Sequence, residues 1–413
     1  MSENKKEELL SCFYRHAQIN PLLKSSQISV VEVGDTQGPA ETLRSLIRHE
    51  ASNSSEEALV LYGDTLLSER DLAQLLHSQS SLSLLFNPLK EEKSADRIAF
   101  KLSLGFEFKY HPRRAGYIYE LIGMKVKHQW LARLEFGLPT IYEHIQCGMM
   151  PSDEKFLEPI LNEFVRENND TDTLIANDPI FNLDYPWDIL EANHQLNQFF
   201  CDDIATNSVG EGSEISSRAI IRGAVKMGRN SYIGDNVIIQ GNVIIGDNSQ
   251  VIDGAIIGSN VIIGDHCVVK EYCKIFDNTT IGNNAIIGHG AEVEGLVLNN
   301  TYLYHYCEIF GLLGQSVDIG AGTTFGSLRF DDVKVTHNIQ GKRITPSVYS
   351  NAVYIGDFVR TGVNTTIMPG VKVGNKSVVS ANLCLTQDLK DRKIALLKQE
   401  VVEKDWGEHK YGL

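Results

Sequence analysis

Aliphatic side chains recur at every sixth position along the C-terminal half of the chain. The series runs Ile215, Ile221, Met227, Ile233, Ile239, Ile245, Val251, Ile257, Ile263, Val269, Ile275, Ile281, Ile287 and Val293. An α-helix cannot use this spacing, because six residues at about 100° each do not return to one face. Short strands joined by tight corners can use it, and the Gly, Asp and Asn residues that often follow the aliphatic residue suit such corners. The pattern predicts a β-helix with one inward aliphatic residue per side.

The rhythm fails in the segment NNTYLYHYCEIFG, residues 299–311, where aromatic residues crowd around His305. The hexad series resumes late in the chain. Its later members are Ile355, Thr361, Ile367, Val373 and Val379. The intervening insertion, from about Leu328 to Tyr354, is predicted to leave the β-helix as a loop, which is where function tends to lie on a rigid scaffold.

The N-terminal half has a different pattern, in which strand-like and helix-like segments alternate. ISVVEV and ALVLYGD favour strands, and Ser68 is a suitable N-cap for a helix over ERDLAQLLHS. Alternation of this kind predicts a three-layer α/β domain, with Asp64 at the end of a strand where ligands bind. We therefore predict this domain over residues 1–205, a β-helix over 206–388 and a partly helical tail over 389–413.

Composition narrows the function classes. The formal charge of −15 argues against a nucleic acid or an anionic membrane as partner. The seven cysteines include no CxxC pair, so neither a disulfide framework nor a zinc site is indicated. The first residues, MSENKKEELL, are charged rather than apolar, and no apolar run is long enough to span a membrane, so the expected location is the cytoplasm.

The hexad pattern resembles that of the hexapeptide-repeat acyltransferases. That resemblance implies a left-handed parallel β-helix and a homotrimer with active sites in the grooves between subunits. Stacked β-coils also occur in proteins that serve only as rigid scaffolds, so a structural role is the alternative.

The N-terminal half resembles sugar-1-phosphate nucleotidyltransferases through QGPAETL and LVLYGD. The segment FNLDYPWDILEANHQL is similar to the one that closes this domain in the archaeal-type bifunctional nucleotidyltransferase/acetyltransferases. The combined resemblance runs from about Gln27 to Asp388. It implies that Gln37 and Gly38 bind the nucleobase and that Asp64 holds Mg²⁺, if that site is active.

One defining part of that family is missing, namely the Gly-rich loop on the first strand that cradles the triphosphate. No glycine occurs before Gly34, and the segment expected to supply a second magnesium carboxylate has become RRAGYIYELIG. Losing even one charge-stabilising donor typically costs about 3 kcal/mol of transition-state stabilisation. The nucleotidyltransferase domain is therefore expected to be incomplete and nucleotidyl transfer to be lost.

The acetyltransferase half retains more of the family pattern. Residues 320–323 match its Gly-Ala-Gly-Thr turn, and a catalytic histidine is expected just upstream. His305 is our candidate for the base, although an alignment without gaps places the family histidine on Tyr304, which is then expected at the substrate. The alternative for His305 is a partly buried turn residue packed among tyrosines. His289 occupies an ordinary turn position and is expected at the surface.

Other positions carry roles by the same resemblance. Ser327 replaces the family asparagine and can still donate a hydrogen bond, and Lys334 is expected to supply positive charge in the catalytic site. Arg329 is expected to bind the sugar phosphate. Acetyl-CoA is the implied co-substrate, with three expected contacts: Ala321, Arg360 and Thr361.

Three functions remain open on these grounds. The first is acetyl-CoA-dependent transfer to an amino-sugar 1-phosphate or sugar nucleotide. The second is a non-catalytic oligomeric regulator, because both sites depart from the family pattern. The third is the full bifunctional synthesis of UDP-N-acetylglucosamine, against which the missing glycine loop argues.

Overall fold

The computed structural model describes residues 57–88, 98–101, 107–110, 119–127, 170–339 and 341–404, together with residues 43, 130, 161, 164–166 and 406. Contacts divide the chain into two compact units, Met1–Leu183 and Asp184–Leu413. The division lies before a helix at 186–202, not at the predicted residue 205, because this helix packs on strands of the second unit. In the described part of the chain, no helix is both long and apolar enough to cross a membrane.

The first unit contains a mixed sheet. Its strands are β1 (Glu57–Leu61), β3 (Leu82–Pro88), β4 (Ile98–Lys101), β5 (Glu107–Tyr110), β6 (Tyr119–Lys127) and β7 (Thr171–Ile175), and a separate pair is formed by β2 (Thr65–Leu66) and β8 (Phe181–Asn182). The order is β5-β4-β6-β3-β7, with β1 also paired to β6. Only β3 and β7 run parallel among these described pairs.

Apolar clusters cover both faces of this sheet. On one face, helix α1 (Glu69–His77) packs Leu72 and Leu75 against Leu85 of β3. On the other face, Leu84 of β3 packs with Phe164, which lies in a helical segment. The predicted three-layer α/β arrangement is therefore confirmed, as is the predicted N-cap: the Ser68 hydroxyl accepts a hydrogen bond from the backbone N–H of Asp71 at 3.1 Å.

The second unit is a parallel β-solenoid of about ten turns, with three flat faces that we name A, B and C. Face A consists of Glu214–Ile215, Tyr232–Ile233, Gln250–Val251, Val268–Val269, Ile286–Ile287, Tyr302–Leu303, Asp318–Ile319, Arg360–Thr361, Val378–Val379 and Ile394–Ala395. Face B consists of Ile220–Ile221, Ile238–Ile239, Ile256–Ile257, Lys274–Ile275, Thr324–Phe325, Thr366–Ile367 and Cys384–Leu385. Face C consists of Ser208–Val209, Val225–Met227, Val243–Ile245, Val261–Ile263, Thr280–Ile281, Val353–Ile355 and Lys372–Val373. Two long strands, Glu292–Val297 and Glu308–Leu313, run from face B into face C.

The hexad residues fill the interior of the solenoid. Ile233, Val251 and Val269 stack on consecutive coils of face A and are fully buried. At the corners, residues such as Asn236 adopt a left-handed backbone with φ near 57°, which asparagine tolerates better than most residues. The β-helix of hexapeptide repeats predicted from the sequence is confirmed.

The break in the hexad rhythm has a structural cause that the sequence did not reveal. The inward residues Val293 and Val297 are four residues apart instead of six, and the same spacing separates Ile309 from Leu313. Ladder contacts accordingly span 16 residues here, against 18 in the regular coils. In both places the corner between faces B and C is lost and the strand runs straight through it.

Helix α2 (Pro186–Asp202) lies along this B/C corner. The Asn193 side chain donates to the carbonyl of Gly295 at 3.3 Å, and Thr280 donates to the side chain of Asn197 at 2.9 Å. Farther along, Trp187 packs with Leu296 in an apolar cluster. Helix α2 thus packs on the flattened corners. This packing explains the break in the six-residue spacing, which does not by itself indicate a catalytic site.

The predicted insertion is present as a loop between Phe325 of face B and Val353 of face C. It contains a small antiparallel hairpin of His337–Ile339 and Lys342–Ile344. The last coil continues beyond residue 388, since Ile394–Ala395 pairs with face A. Residues 396–404 contain no helix, so the prediction of a partly helical tail is wrong for its described part.

Candidate functional site

A shallow, open cavity of about 200 Å³ lies where face A turns into face B. Its lining comes from three consecutive coils and consists of Lys270, Glu271, Gly288, His289, Tyr302, Tyr304 and His305. Two histidines, one carboxylate, one ammonium group and two phenols converge here. This is the chemistry that proton transfer to a small polar ligand needs.

Tyrosines stack along the same corner. The rings of Tyr272 and Tyr306 both lie edge-on to His289, at centroid distances of 5.7 and 5.3 Å. Both tyrosines adopt a left-handed backbone, with φ of 58° and 57°, where other coils have asparagine or glycine. Bulky residues adopt this conformation only when the surroundings enforce it, and such strain clusters at functional sites. Gly290 makes room for the ring of Tyr306, since a Cβ there would approach it to 2.8 Å.

His305 is exposed beside the cavity, not packed among tyrosines. Its ring makes one edge contact, with Tyr306 at 5.5 Å, and neither ring nitrogen has a hydrogen-bond partner among the described residues. Tyr304, where the gap-free alignment places the family histidine, lines the same cavity, and its ring lies 4.6 Å from that of Tyr302. The geometry therefore leaves His305 available for proton transfer, and the partly buried alternative does not describe it.

The three residues expected to bind acetyl-CoA have different surroundings. Ala321 lies at the same corner on the next coil, where Gly322 donates to the carbonyl of His305 at 3.0 Å. Arg360 projects outward from face A, 4.0 Å from Asp318. Thr361 points into the solenoid, where its hydroxyl accepts a hydrogen bond from the N–H of Gly320 at 3.0 Å. The Thr361 hydroxyl is thus hydrogen-bonded inside the solenoid, so only the backbone of Thr361 can contact a cofactor.

Ser327, Arg329 and Lys334 lie on the loop between faces B and C, so a single chain does not bring them to the A/B cavity. Lys334 donates to the carbonyl of Ser347 at 2.6 Å. Arg329 binds Asp331 through two hydrogen bonds, which lowers the pKa of the Asp331 carboxyl to about 2. Phe330, at the tip of the loop, is fully exposed.

Five residues of the cavity were not predicted as site residues: Lys270, Glu271, Gly288, His289 and Tyr302. The signal that could have found them is the coil period. Glu271, His289 and His305 occupy the same corner position on consecutive coils, and all three line the cavity. His289 was expected at the surface; it is partly exposed, but it faces the cavity.

His337 is buried at the base of the loop, away from the cavity. Its Nε2 donates to the carbonyl of Ser350 at 2.8 Å, its Nδ1 lies 3.2 Å from the ammonium of Lys372, and its ring contacts Trp187. Burial lowers the pKa of His337, and the charge of Lys372 acts in the same direction, against the hydrogen bond to Ser350. The histidine is therefore a neutral packing residue that fixes the hairpin against α2.

This burial predicts a stability loss in acid. As pH falls below about 6.5, the unfolded chain protonates this histidine while the folded one resists, so stability declines until the lower folded pKa is passed. Asp188 has the opposite effect on stability, because burial raises its pKa to about 6. Its contribution to the free energy of unfolding therefore increases as pH falls through that value. The effect of the histidine alone is measured by comparing wild type with His337→Gln. Between pH 8 and about pH 5, the melting temperature of wild type should fall by more than that of the variant. An equal loss in both would contradict this assignment.

The nucleotidyltransferase-like unit offers a partial set of oxygen donors. Asp64 lies in the turn after β1, and its carbonyl accepts from Leu183 at 2.7 Å. The Asn182 amide donates to the buried Glu120 carboxylate at 3.3 Å, and the Asn182 side-chain oxygen is buried without a hydrogen-bond partner. Oxygen donors of this kind suit Mg²⁺, yet no cluster of three His, Cys, Asp or Glu ligands occurs among the described residues. Gln37 and Gly38, which were predicted to bind the nucleobase, lie outside the described residues.

Comparison with known proteins finds a hexapeptide-repeat profile and relatives that match part of the chain. A family profile described as the hexapeptide repeat of succinyl-transferase matches residues 352–387. "Bifunctional protein GlmU" of Methanococcus vannielii is 34% identical over 120 residues, which are 29% of this chain and 29% of that protein. The "bifunctional sugar-1-phosphate nucleotidylyltransferase/acetyltransferase" of Sulfurisphaera tokodaii is 34% identical over 105 residues, 25% of this chain and 26% of that protein.

Among solved structures, the UDP-N-acetylglucosamine acyltransferase from Campylobacter jejuni is 24% identical, with a TM-score of 0.36, over 43% of this chain and 68% of that one. The matched segment spans less than a third of the length of the curated relatives above. Within that length, the resemblance predicted from the sequence is confirmed: this chain has homologues among the bifunctional nucleotidylyltransferase/acetyltransferases and carries a hexapeptide-repeat domain.

Proposed function

We propose that the chain transfers the acetyl group of acetyl-CoA to the amine of an amino-sugar 1-phosphate or a related sugar nucleotide. The observation that carries this proposal is the A/B cavity, with His305 exposed at its rim on a hexapeptide-repeat solenoid. The bifunctional relatives support the same class of reaction. Since this chain matches only part of them, its activity is inferred from the site and is not transferred from their names.

The chemistry requires few groups. The amine must lose a proton as it attacks the thioester, and His305 can accept it on its unprotonated ring nitrogen, since neither ring nitrogen has a hydrogen-bond partner among the described residues. The thioester oxygen develops negative charge, which a hydrogen-bond donor stabilises. By resemblance this donor is the Ser327 hydroxyl, with Lys334 and Arg329 supplying positive charge for the sugar phosphate.

These loop residues and the cavity lie at different corners of one chain, so the proposed site needs a second copy. Both corners present exposed apolar side chains: Phe330 and Leu328 on the loop, and Tyr272 and Tyr306 beside the cavity. Exposed apolar patches of this kind are typical of association surfaces. A homotrimer in which the loop of one copy meets the cavity of the next would complete the site.

Assembly gives a direct prediction. Light scattering at micromolar concentration should give about three times the chain mass of 46.0 kDa. The double variant Phe330→Ser/Leu328→Ser should weaken the trimer, because it removes exposed apolar area that a neighbour would cover. A stable monomeric wild type would contradict the shared-site proposal.

The proposal includes loss of nucleotidyl transfer. Residues 1–33 contain no glycine, so no glycine-rich backbone loop of the kind that holds a triphosphate occurs before Gly34 in this sequence. Incubation with a nucleoside triphosphate, Mg²⁺ and a sugar 1-phosphate should release no pyrophosphate above background. Release that disappears in Asp64→Ala would restore the full bifunctional function, UDP-N-acetylglucosamine synthesis.

The acetyltransferase function is tested by the release of free thiol from acetyl-CoA. Release should require glucosamine 1-phosphate and should not occur with N-acetylglucosamine 1-phosphate, whose amine is already blocked. The competing function is a non-catalytic regulator, favoured by the inward hydroxyl of Thr361. Binding of sugar nucleotides without thiol release would support it. The cysteines described inside the solenoid are unpaired thiols, which suits a reducing compartment, and we place the proposed activity in the cytoplasm.

A further inference from the structure

A second histidine, His289, shares the cavity with His305. It occupies the same corner position on the preceding coil, and both rings lie edge-on to Tyr306, at 5.3 and 5.5 Å. Both histidines line the cavity. A ligand small enough to enter would therefore meet two imidazoles at once.

The two histidines differ in how they are held. The Nδ1 of His289 lies 3.7 Å from a carboxylate oxygen of Glu271, and the ring sits between Tyr272 and Tyr306. His305 has no carboxylate partner among the described residues. A carboxylate beside one imidazole nitrogen orients the ring and leaves the other nitrogen for proton transfer. Since His305 is already assigned to the amine proton, His289 is the second imidazole that the cavity offers for a proton transfer.

Acetyl transfer from a thioester to an amine moves two protons. The C–N bond forms and the amine nitrogen loses a proton, while the C–S bond breaks and the thiolate gains one. We infer that His289, oriented by Glu271, is the general acid that protonates the departing thiolate, while His305 accepts the proton of the amine. The bulk solvent then restores both imidazoles, so protons and charge balance over the cycle. This inference rests on the proposed acetyltransferase function and adds a residue and a role to it.

The other charged group facing His289 is Lys270, which lines the same cavity. Among the described residues Lys270 forms no ion pair, so Glu271 remains beside the His289 ring. Glu271 is therefore a positioning residue for that ring.

The test is the pH dependence of turnover in wild type, His289→Gln and Glu271→Gln, with acetyl-CoA and glucosamine 1-phosphate. Turnover of wild type should fall at alkaline pH as the acid loses its proton. In His289→Gln, turnover should drop about 100-fold and the alkaline fall should disappear, with KM within about threefold of wild type. In Glu271→Gln, turnover should drop less than in His289→Gln, and the alkaline fall should remain.

Three results would overturn the inference: full turnover in His289→Gln, a raised KM with unchanged turnover, or a lower rate with an unchanged profile. The last would mean that His289 only supports the cavity. Light scattering and melting of each variant exclude misfolding as the cause.

If wild type transfers no acetyl group to any amino sugar phosphate, the proposed function fails on its own. The pairing of Glu271 with His289 is then judged by the NMR signals of the imidazole protons. Glu271→Gln should shift the one imidazole signal that is absent from His289→Gln. If that signal does not move, the pairing is wrong as well.

Discussion

Replacement of His305 by alanine should lower turnover about 10²–10⁴-fold, the usual value of a positioned base. The ring is exposed at the cavity rim and its only described ring contact is with Tyr306, so its removal should leave trimerisation and melting nearly unchanged. The measurement is thiol release from acetyl-CoA at saturating substrates, with light scattering on the same samples.

Tyr304→Phe is the matched control, because the gap-free alignment places the family histidine there. This variant keeps the ring packed on Tyr302 and loses only the hydroxyl. We expect its turnover to remain within about tenfold of wild type. Full activity in His305→Ala would show that this histidine is not the base, and a severe loss in Tyr304→Phe would move the role to the tyrosine.

Gly311→Ala should unfold the solenoid or cost it about 4 kcal/mol or more, which is at the extreme for one substitution. Gly311 lies where a strand runs straight through the lost B/C corner, with φ of 143°. An added Cβ would overlap the carbonyl oxygen of Val353 on the next coil, so backbone must move in two coils together. Urea unfolding followed by circular dichroism measures the effect.

Gly341→Ala is the control for the backbone conformation alone. Gly341 also has a positive φ, 81°, but a Cβ there would meet no atom within 4 Å. This substitution should lower the free energy of unfolding by about 1 kcal/mol, because alanine is less stable than glycine in a left-handed backbone conformation. Similar losses in the two variants would mean that the collision with Val353 is relieved at little cost and that the flattened corner is not tightly packed.

Much of the solenoid follows from local sequence. One aliphatic residue every six positions can be buried on only one kind of scaffold, and Ile233, Val251 and Val269 lie where that spacing predicts. The N-cap at Ser68 is equally local, since the hydroxyl and the N–H that it accepts from are three residues apart. Such features depend on neighbours within one turn or one coil.

Features that depend on contacts between distant parts of the chain could not be predicted from the sequence. The four-residue spacing from Val293 to Val297 looks like an interruption until α2 is seen to lie on it. The environment of His337 depends on Trp187 and Lys372, which come from two other parts of the chain. The candidate site was predicted in part: His305 and Tyr304 belong to the cavity, whereas the loop residues lie at another corner.

The position of His289, one coil before His305 at the same corner, lies between these cases. The coil period alone would have placed the two histidines together, had the shortened corner been known. The sequence signal was present, but its register was hidden by two missing residues in a corner. Register in a solenoid is therefore the information to establish first, because every side-chain neighbour across coils depends on it.

The proposed reaction joins an acetyl group to an amino sugar phosphate. Mass spectrometry of wild type incubated with acetyl-CoA and glucosamine 1-phosphate tests it most directly. We expect N-acetylated sugar phosphate and free coenzyme A in equal amounts, with neither formed when the amine is already acetylated. Intact acetyl-CoA and intact amine after prolonged incubation at equal enzyme and substrate concentrations would contradict the claim and favour a regulatory protein.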